Sequence, residues 1–147
     1  MKRFLSALLV TVALSSLIGC SSTGGKDAIS SLSTSPAVSS LVQATGVTAD
    51  QAIGGLGSIL SLAKAKVTPE DFSKLTAGIP SADKYMNALG DMGIKSGDIK
   101  TPLDLQAAYK KLGMSDDIQQ KFTPAAVNYV RSAGGEAAAS VLSGLGL

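Results

Sequence analysis

Residues 51–57 read QAIGGLG and run directly into SILSLAKAK, residues 58–66. How this stretch is read decides the fold. Three glycines ahead of an apolar run suit either a phosphate cradle or a close approach of two helices. A P-loop requires GxxxxGK[ST], whose lysine and hydroxyl reach the phosphates and magnesium. Here Gly57 is followed by Ser58 and Ile59. A dinucleotide fingerprint requires GxGxxG after a strand. Gly55 and Gly57 have that spacing, but Leu60 stands where the third glycine belongs, and no strand pattern precedes them.

Helical spacing fits better. Ile53, Leu56, Leu60 and Ala63 share one stripe, with Ile59 beside it, while Gly54, Ser58, Ser61 and Ala65 recur on a second face. Small residues at that period let a neighbouring helix come close. Such contact compensates the roughly 1 kcal/mol that each interior glycine costs in helix propensity. Gly54, Gly55, Gly57, Ser58, Ser61 and Ala65 are therefore expected to be helix-packing positions; a bend in the helix and an anion site are the competing readings. Thr48, with Gln51 three residues on, has the pattern of a capping box for this helix, which ends near Val67.

Outward from this helix the signals are again helix starts and stops. Ser35-Pro36 opens a segment that stops at Gly46, and Thr68-Pro69-Glu70-Asp71 opens the next, with acids in its first turn. Phe72 and Leu75 face inward there. Ser81 starts a further helix with Ala82, Tyr85, Met86 and Leu89 on one face. Gly90, Gly93 and Gly97 loosen the following loop. Thr101-Pro102 opens a helix carrying Leu105, Ala108, Tyr109 and Leu112, and Ser115-Asp116-Asp117 opens one carrying Ile118, Phe122, Ala125 and Tyr129. Pro124 either kinks that helix or begins a second one capped by Thr123. Gly134-Gly135 ends it, and a last helix aligns Ala138, Val141, Leu142 and Leu145. The expected fold is all-α, a compact bundle of six to seven short helices over residues 36–147.

The N-terminal residues are read differently. MKR precedes the apolar stretch FLSALLVTVALSSLI, and Leu17-Ile18-Gly19-Cys20 closes it. That is a secretory signal ending in a bacterial lipobox. Residues 1–19 are expected to be cleaved, leaving Cys20, the chain's single cysteine, as a lipidated N-terminus. Several acyl chains on one residue exceed what stable anchoring needs. Ser21 in place of aspartate points to the outer membrane, facing the periplasm. Residues 20–35, rich in serine, glycine and threonine, are expected to be a flexible tether, whose later residues, with only Ile29 and Leu32 to seek a core, can form a short helix without changing that role.

Composition excludes much. The formal charge of +2 belongs to Lys2 and Arg3, so the remainder is balanced and lacks the basic stripe a nucleic-acid surface needs. There is no histidine to act as base or zinc ligand. No serine lies in a GxSxG elbow. Glu70/Asp71 and Asp116/Asp117 are adjacent in sequence and sit in first turns, where helix stabilisation accounts for them. DMGIKSGD, residues 91–98, lacks the oxygen ligands of a calcium loop. No cofactor, metal site or catalytic residue is expected, and the chain is not expected to be an enzyme.

The segment GVTADQAIGGLGSILSLAKAKVTPEDFSKL, residues 46–75, resembles the hallmark of a bacterial domain family of unknown function typified by VcgC and VcgE. The match is closest over residues 47–58 and 67–75. KKLGMSDDIQQKFTPAAVNYVRSAGG is similar to the second half of that family, which ends on Tyr129, Val130, Gly134 and Gly135. The resemblance spans residues 38–145. It implies a small helical envelope protein and assigns no activity. Two functional expectations follow from the residues: a lipid-anchored module that binds an envelope protein or itself, or a periplasmic carrier of a small apolar or lipid-like ligand.

Overall fold

The structure is a computed structural model that describes residues 26–147, with side chains described from Ile29 onward. The expected signal, Cys20 and the first part of the expected tether lie outside the described residues. Seven helices follow in order: α1 (Lys26–Ser33), α2 (Pro36–Thr45), α3 (Ala49–Lys66), α4 (Pro69–Ala77), α5 (Ala82–Asp91), α6 (Pro102–Lys111) and α7 (Asp116–Gly144). A single 3-10 turn, Ser96–Asp98, lies between α5 and α6. The described residues contain no strand, so the domain is all-α, as its start and stop signals imply. No described helix is long and apolar enough to cross a membrane.

Helix starts follow the cap chemistry. The hydroxyls of Ser35, Thr48, Thr68, Thr101 and Ser115 accept the N–H groups of Val38, Gln51, Asp71, Asp104 and Ile118 respectively. Each relieves one of the donors that a helix start leaves unpaired. At Thr48 and Thr101 the third residue returns the bond, which completes a capping box. Ser81 departs from this pattern. It lies in the left-handed region (φ 64°) and makes no side-chain cap. Its carbonyl instead accepts the N–H groups of Lys84 and Tyr85, and the reversed turn lets Ile79 and Ala82 on either side of it both be buried.

Helix α3 is the axis of the domain. All of residues 52–63 are buried, with the other six helices and the 3-10 turn packed around it. The expected stripe of Ile53, Leu56, Leu60 and Ala63 is present, but the small-residue face opposite it is covered too. Two other stretches settle what the sequence left open. Part of the expected tether is structured: α1 packs on α3 and α5, and Leu32 is 3% exposed. An amphipathic turn anchored by Ile29 and Leu32 repays ordering that serine and glycine alone would not. Helix α7 settles the alternatives at Pro124. Helical structure continues through that residue, whose exposed position leaves the carbonyl one turn earlier free to meet water. The break comes at Gly135 (φ 62°, ψ −150°), followed by residues 136–144, whose Ala138 and Leu142 complete the core. Before the break, the buried residues of α7 are Gln119, Phe122, Ala126, Val127 and Val130. Ile118, Ala125 and Tyr129 lie at the edge of this face, so the helix is rotated slightly from the expected stripe.

Candidate functional site

The three glycines of α3 do not share one neighbour. A Cβ on Gly54 would meet Leu112 Cδ2 at 2.5 Å and Met92 Sδ at 2.8 Å. One on Gly55 would enter the ring of Phe122 and come within 3.1 Å of Met114 Cε. One on Gly57 would fall on the Tyr85 carbonyl oxygen. The glycines admit different parts of their surroundings: Gly54 the ends of α5 and α6, Gly55 the start of α7, and Gly57 the backbone of α5. Ser58 and Ser61 are buried and donate to the Gly54 and Gly57 carbonyls at 2.8 Å, so their hydroxyls are satisfied inside the helix itself. Ala65 is a correction. It is exposed, because α3 emerges from the core after Ala63 between Lys64 and Lys66. Five of the six expected packing positions therefore pack, and they do so on several faces. The Gln51 N–H is taken by the Thr48 hydroxyl and the later N–H groups of the QAIGGLG stretch lie within the helix, so none is presented as an anion cradle.

The tyrosines divide between core and edge. Tyr85 is 1% exposed, and its hydroxyl lies 2.7 Å from that of Ser35, which ties the start of α2 to α5. Burial raises its pKa, and the bond to Ser35 partly offsets the rise. Tyr129 is half-buried and raised by burial, with Tyr85 adding to it. Tyr109 packs edge-on against Phe122, with ring centroids 5.6 Å apart. Its hydroxyl is buried and has no hydrogen-bond partner. Thr123 influences it without completing a bond of good geometry. Burial raises that hydroxyl far above the ordinary 10.0 because the phenolate would be stranded in apolar surroundings.

Tyr109 lines a cleft of about 530 Å³ between α6 and α7, together with Leu105, Gln106, Gln119, Gln120 and Thr123. A second cleft of about 400 Å³ continues along α7 past Thr123, Pro124 and Asn128 to Arg131. Leu147 and Gly146 border both. The Arg131 Nε is also buried without a partner. On another side, a cleft of about 560 Å³ lies between the start of α4 and the end of α7, with Lys66 and Lys74 beside Val67, Val141 and Leu145. There Lys74 is already paired with Asp71 at 3.5 Å, and Asp71 serves the α4 cap. Among the described residues no three His, Cys, Asp or Glu side chains gather to hold a metal ion.

Sequence reasoning placed Tyr109 correctly in a stripe but did not single out Arg131, Gln120 or Asn128. Their signal is the spacing 120, 123/124, 128 and 131, which marks one side of α7. A family model described as a protein of unknown function, VcgC/VcgE, matches residues 21–146. No curated protein and no solved structure matches the chain.

Proposed function

This chain belongs to the VcgC/VcgE family of proteins of unknown function, and on that premise we propose that it is a non-enzymatic, lipid-anchored interaction module of the bacterial envelope. The anchor in this reading is Cys20, and the location is the periplasmic face of the outer membrane. Support for the anchor comes from the lipobox Leu17-Ile18-Gly19-Cys20 and the apolar stretch before it. The observation that carries the interaction role is the pair of adjoining clefts along α6 and α7, lined by carboxamide and hydroxyl side chains with apolar residues between them. A carboxamide both donates and accepts, which suits it to the polar groups of another polypeptide. The alternative of a carrier for a small apolar ligand asks for an enclosed apolar cavity. The clefts here are partly polar and open to solvent, which favours the interaction reading.

The anchor is tested by metabolic labelling with palmitate. The wild-type chain should incorporate label and Cys20→Ser should not; label on the variant would remove the anchor. The interaction role is tested in cells with a photocrosslinking residue at Gln120 and, as a control, at the exposed position Asp83. Adducts specific to position 120 are expected. Their absence, or equal adducts at both positions, would count against a partner on this side of α7.

A further inference from the structure

We propose that the adjoining clefts along α7 bind an extended peptide segment of roughly four residues that carries a carboxylate, with the carboxylate on Arg131 and a polar group of the peptide on Tyr109 and Thr123. This inference rests on the interaction reading above and names the chemistry of the partner.

Two buried polar atoms without partners mark the two ends. Native interiors leave few such groups unpaired, and each one calls for an explanation. The Tyr109 hydroxyl is one, in a residue only 1% exposed; the Arg131 Nε is the other. The guanidinium stays charged at any physiological pH and presents a planar fork that matches a carboxylate. Among the described residues Arg131 has no ion-pair partner, the one ion pair being Lys74 with Asp71. Thr123 borders both clefts, so they form one path along the helix. From Thr123 to Arg131 is eight residues, about 12 Å at the helical rise of about 1.5 Å. That distance matches about four residues of extended chain at about 3.3 Å each.

The lining favours a peptide over a sugar. Gln106, Gln120 and Asn128 can pair with both the N–H and the carbonyl of an extended backbone. Sugar sites commonly present an aromatic face to the ring. Here Tyr109 is packed edge-on into Phe122, so no ring is left to stack on. The charged side chains at the α6 end, Lys110 and Asp116, are of opposite sign, and Arg131 is the one charged side chain that lines the other cleft.

The test uses the full chain in detergent micelles and two fluorescein-labelled tetrapeptide pools. Both pools are randomised at three positions; one ends in Asp or Glu with a free carboxylate, the other in amidated Asn or Gln. Fluorescence anisotropy should show the acidic pool binding about tenfold more tightly, the scale of a charged hydrogen bond. Arg131→Gln should abolish that preference. Tyr109→Phe should bind the acidic pool roughly 3- to 10-fold more weakly while melting at a higher temperature, a combination that general unfolding cannot produce. Equal affinity for the two pools would overturn the proposal, and so would unchanged binding by Tyr109→Phe. Equal binding of an acidic oligosaccharide would overturn the choice of peptide. If neither pool binds while photocrosslinks at position 120 persist in cells, the peptide chemistry is wrong and the broader interaction role stands.

Discussion

Two Gly-Gly pairs lie in the helices of the described residues, and they do different things. Gly54-Gly55 lies inside an unbroken helix, and the pair is there for space: a side chain on either would run into Leu112 and Met92 or into Phe122. Gly134-Gly135 divides its labour. A Cβ on Gly134 would meet Ala138 Cβ at 2.6 Å and the Leu75 carbonyl oxygen at 2.8 Å, so that glycine also makes room, here for α4 against α7. Gly135 has nothing within 4 Å of its ideal Cβ but adopts φ 62°, ψ −150°, a region nearly restricted to glycine. The same dipeptide thus serves packing in one helix and chain direction in the other. Which role it plays depends on what surrounds it, not on the glycines.

Gly57→Ala should break the α3 side of this comparison most severely. Its new methyl would fall on the Tyr85 carbonyl, and a backbone cannot rotate aside as a side chain can. Alanine returns about 1 kcal/mol of helix propensity, and overpacking costs about 1–3 kcal/mol or more. A net loss of about 2 kcal/mol is expected, which thermal denaturation would register as a fall of roughly 6–10 °C in Tm. An unchanged Tm would mean that α3 and α5 are not in backbone contact.

Gly135→Ala comes next, with an expected loss of about 1–2 kcal/mol from backbone strain alone. Since no atom stands near the L-methyl, the loss is one of backbone conformation, and D-alanine, for which φ 62°, ψ −150° mirrors an allowed extended region, should be tolerated better than L-alanine. If L-alanine were tolerated, residues 116–144 would be able to run as one straight helix, and the contrast between the two glycine pairs would disappear.

Tyr109→Phe probes the packing between α6 and α7, which α3 admits through Gly55. Removing a buried hydroxyl that has no partner should raise stability at neutral pH by about 1 kcal/mol. The effect of pH has a definite sign. Because burial raises the folded-state pKa of Tyr109 above its ordinary 10.0, the unfolded chain loses its proton first. The contribution of the neutral phenol is complete below about pH 10 and is lost as pH rises toward the folded-state value. Between pH 10 and 11 the wild type should therefore lose about 1 kcal/mol more than Tyr109→Phe in urea denaturation. Tyr85 and Tyr129 are also raised, but they are common to both proteins and cancel in the difference.

Much of the fold was legible because it is written in local chemistry. Caps at Ser35, Thr48, Thr68, Thr101 and Ser115 need only the few residues that follow, and all five are formed. What the sequence hid depends on residues far apart in the chain. The covering of α3 on every side requires knowing that seven other elements converge on it. The order of α1 requires a core for Leu32 to enter. The unpartnered Tyr109 hydroxyl becomes visible only when α6 is laid against α7, since in sequence it is simply a member of an apolar stripe. The side of α7 that carries Arg131 was readable as a spacing, but nothing local distinguishes it from an ordinary solvated face.

The smallest expected effect tests the limit of periodicity itself. Helical spacing groups Ala65 with Gly54, Ser58 and Ser61, yet period describes direction around an axis and not position along it. Helix α3 outruns its surroundings: the burial that continues through Ala63 stops at Lys64, and the last turn has solvent where the earlier turns have α5. Ala65→Gln should therefore change stability by less than about 0.5 kcal/mol, the usual range for an exposed position. The same substitution four residues earlier, Ser61→Gln, places a long polar side chain where residue 61 is 2% exposed and should cost several times more. Equal losses at the two positions in chemical denaturation would mean that the last turn of α3 is covered after all and that the small-residue face extends its full length.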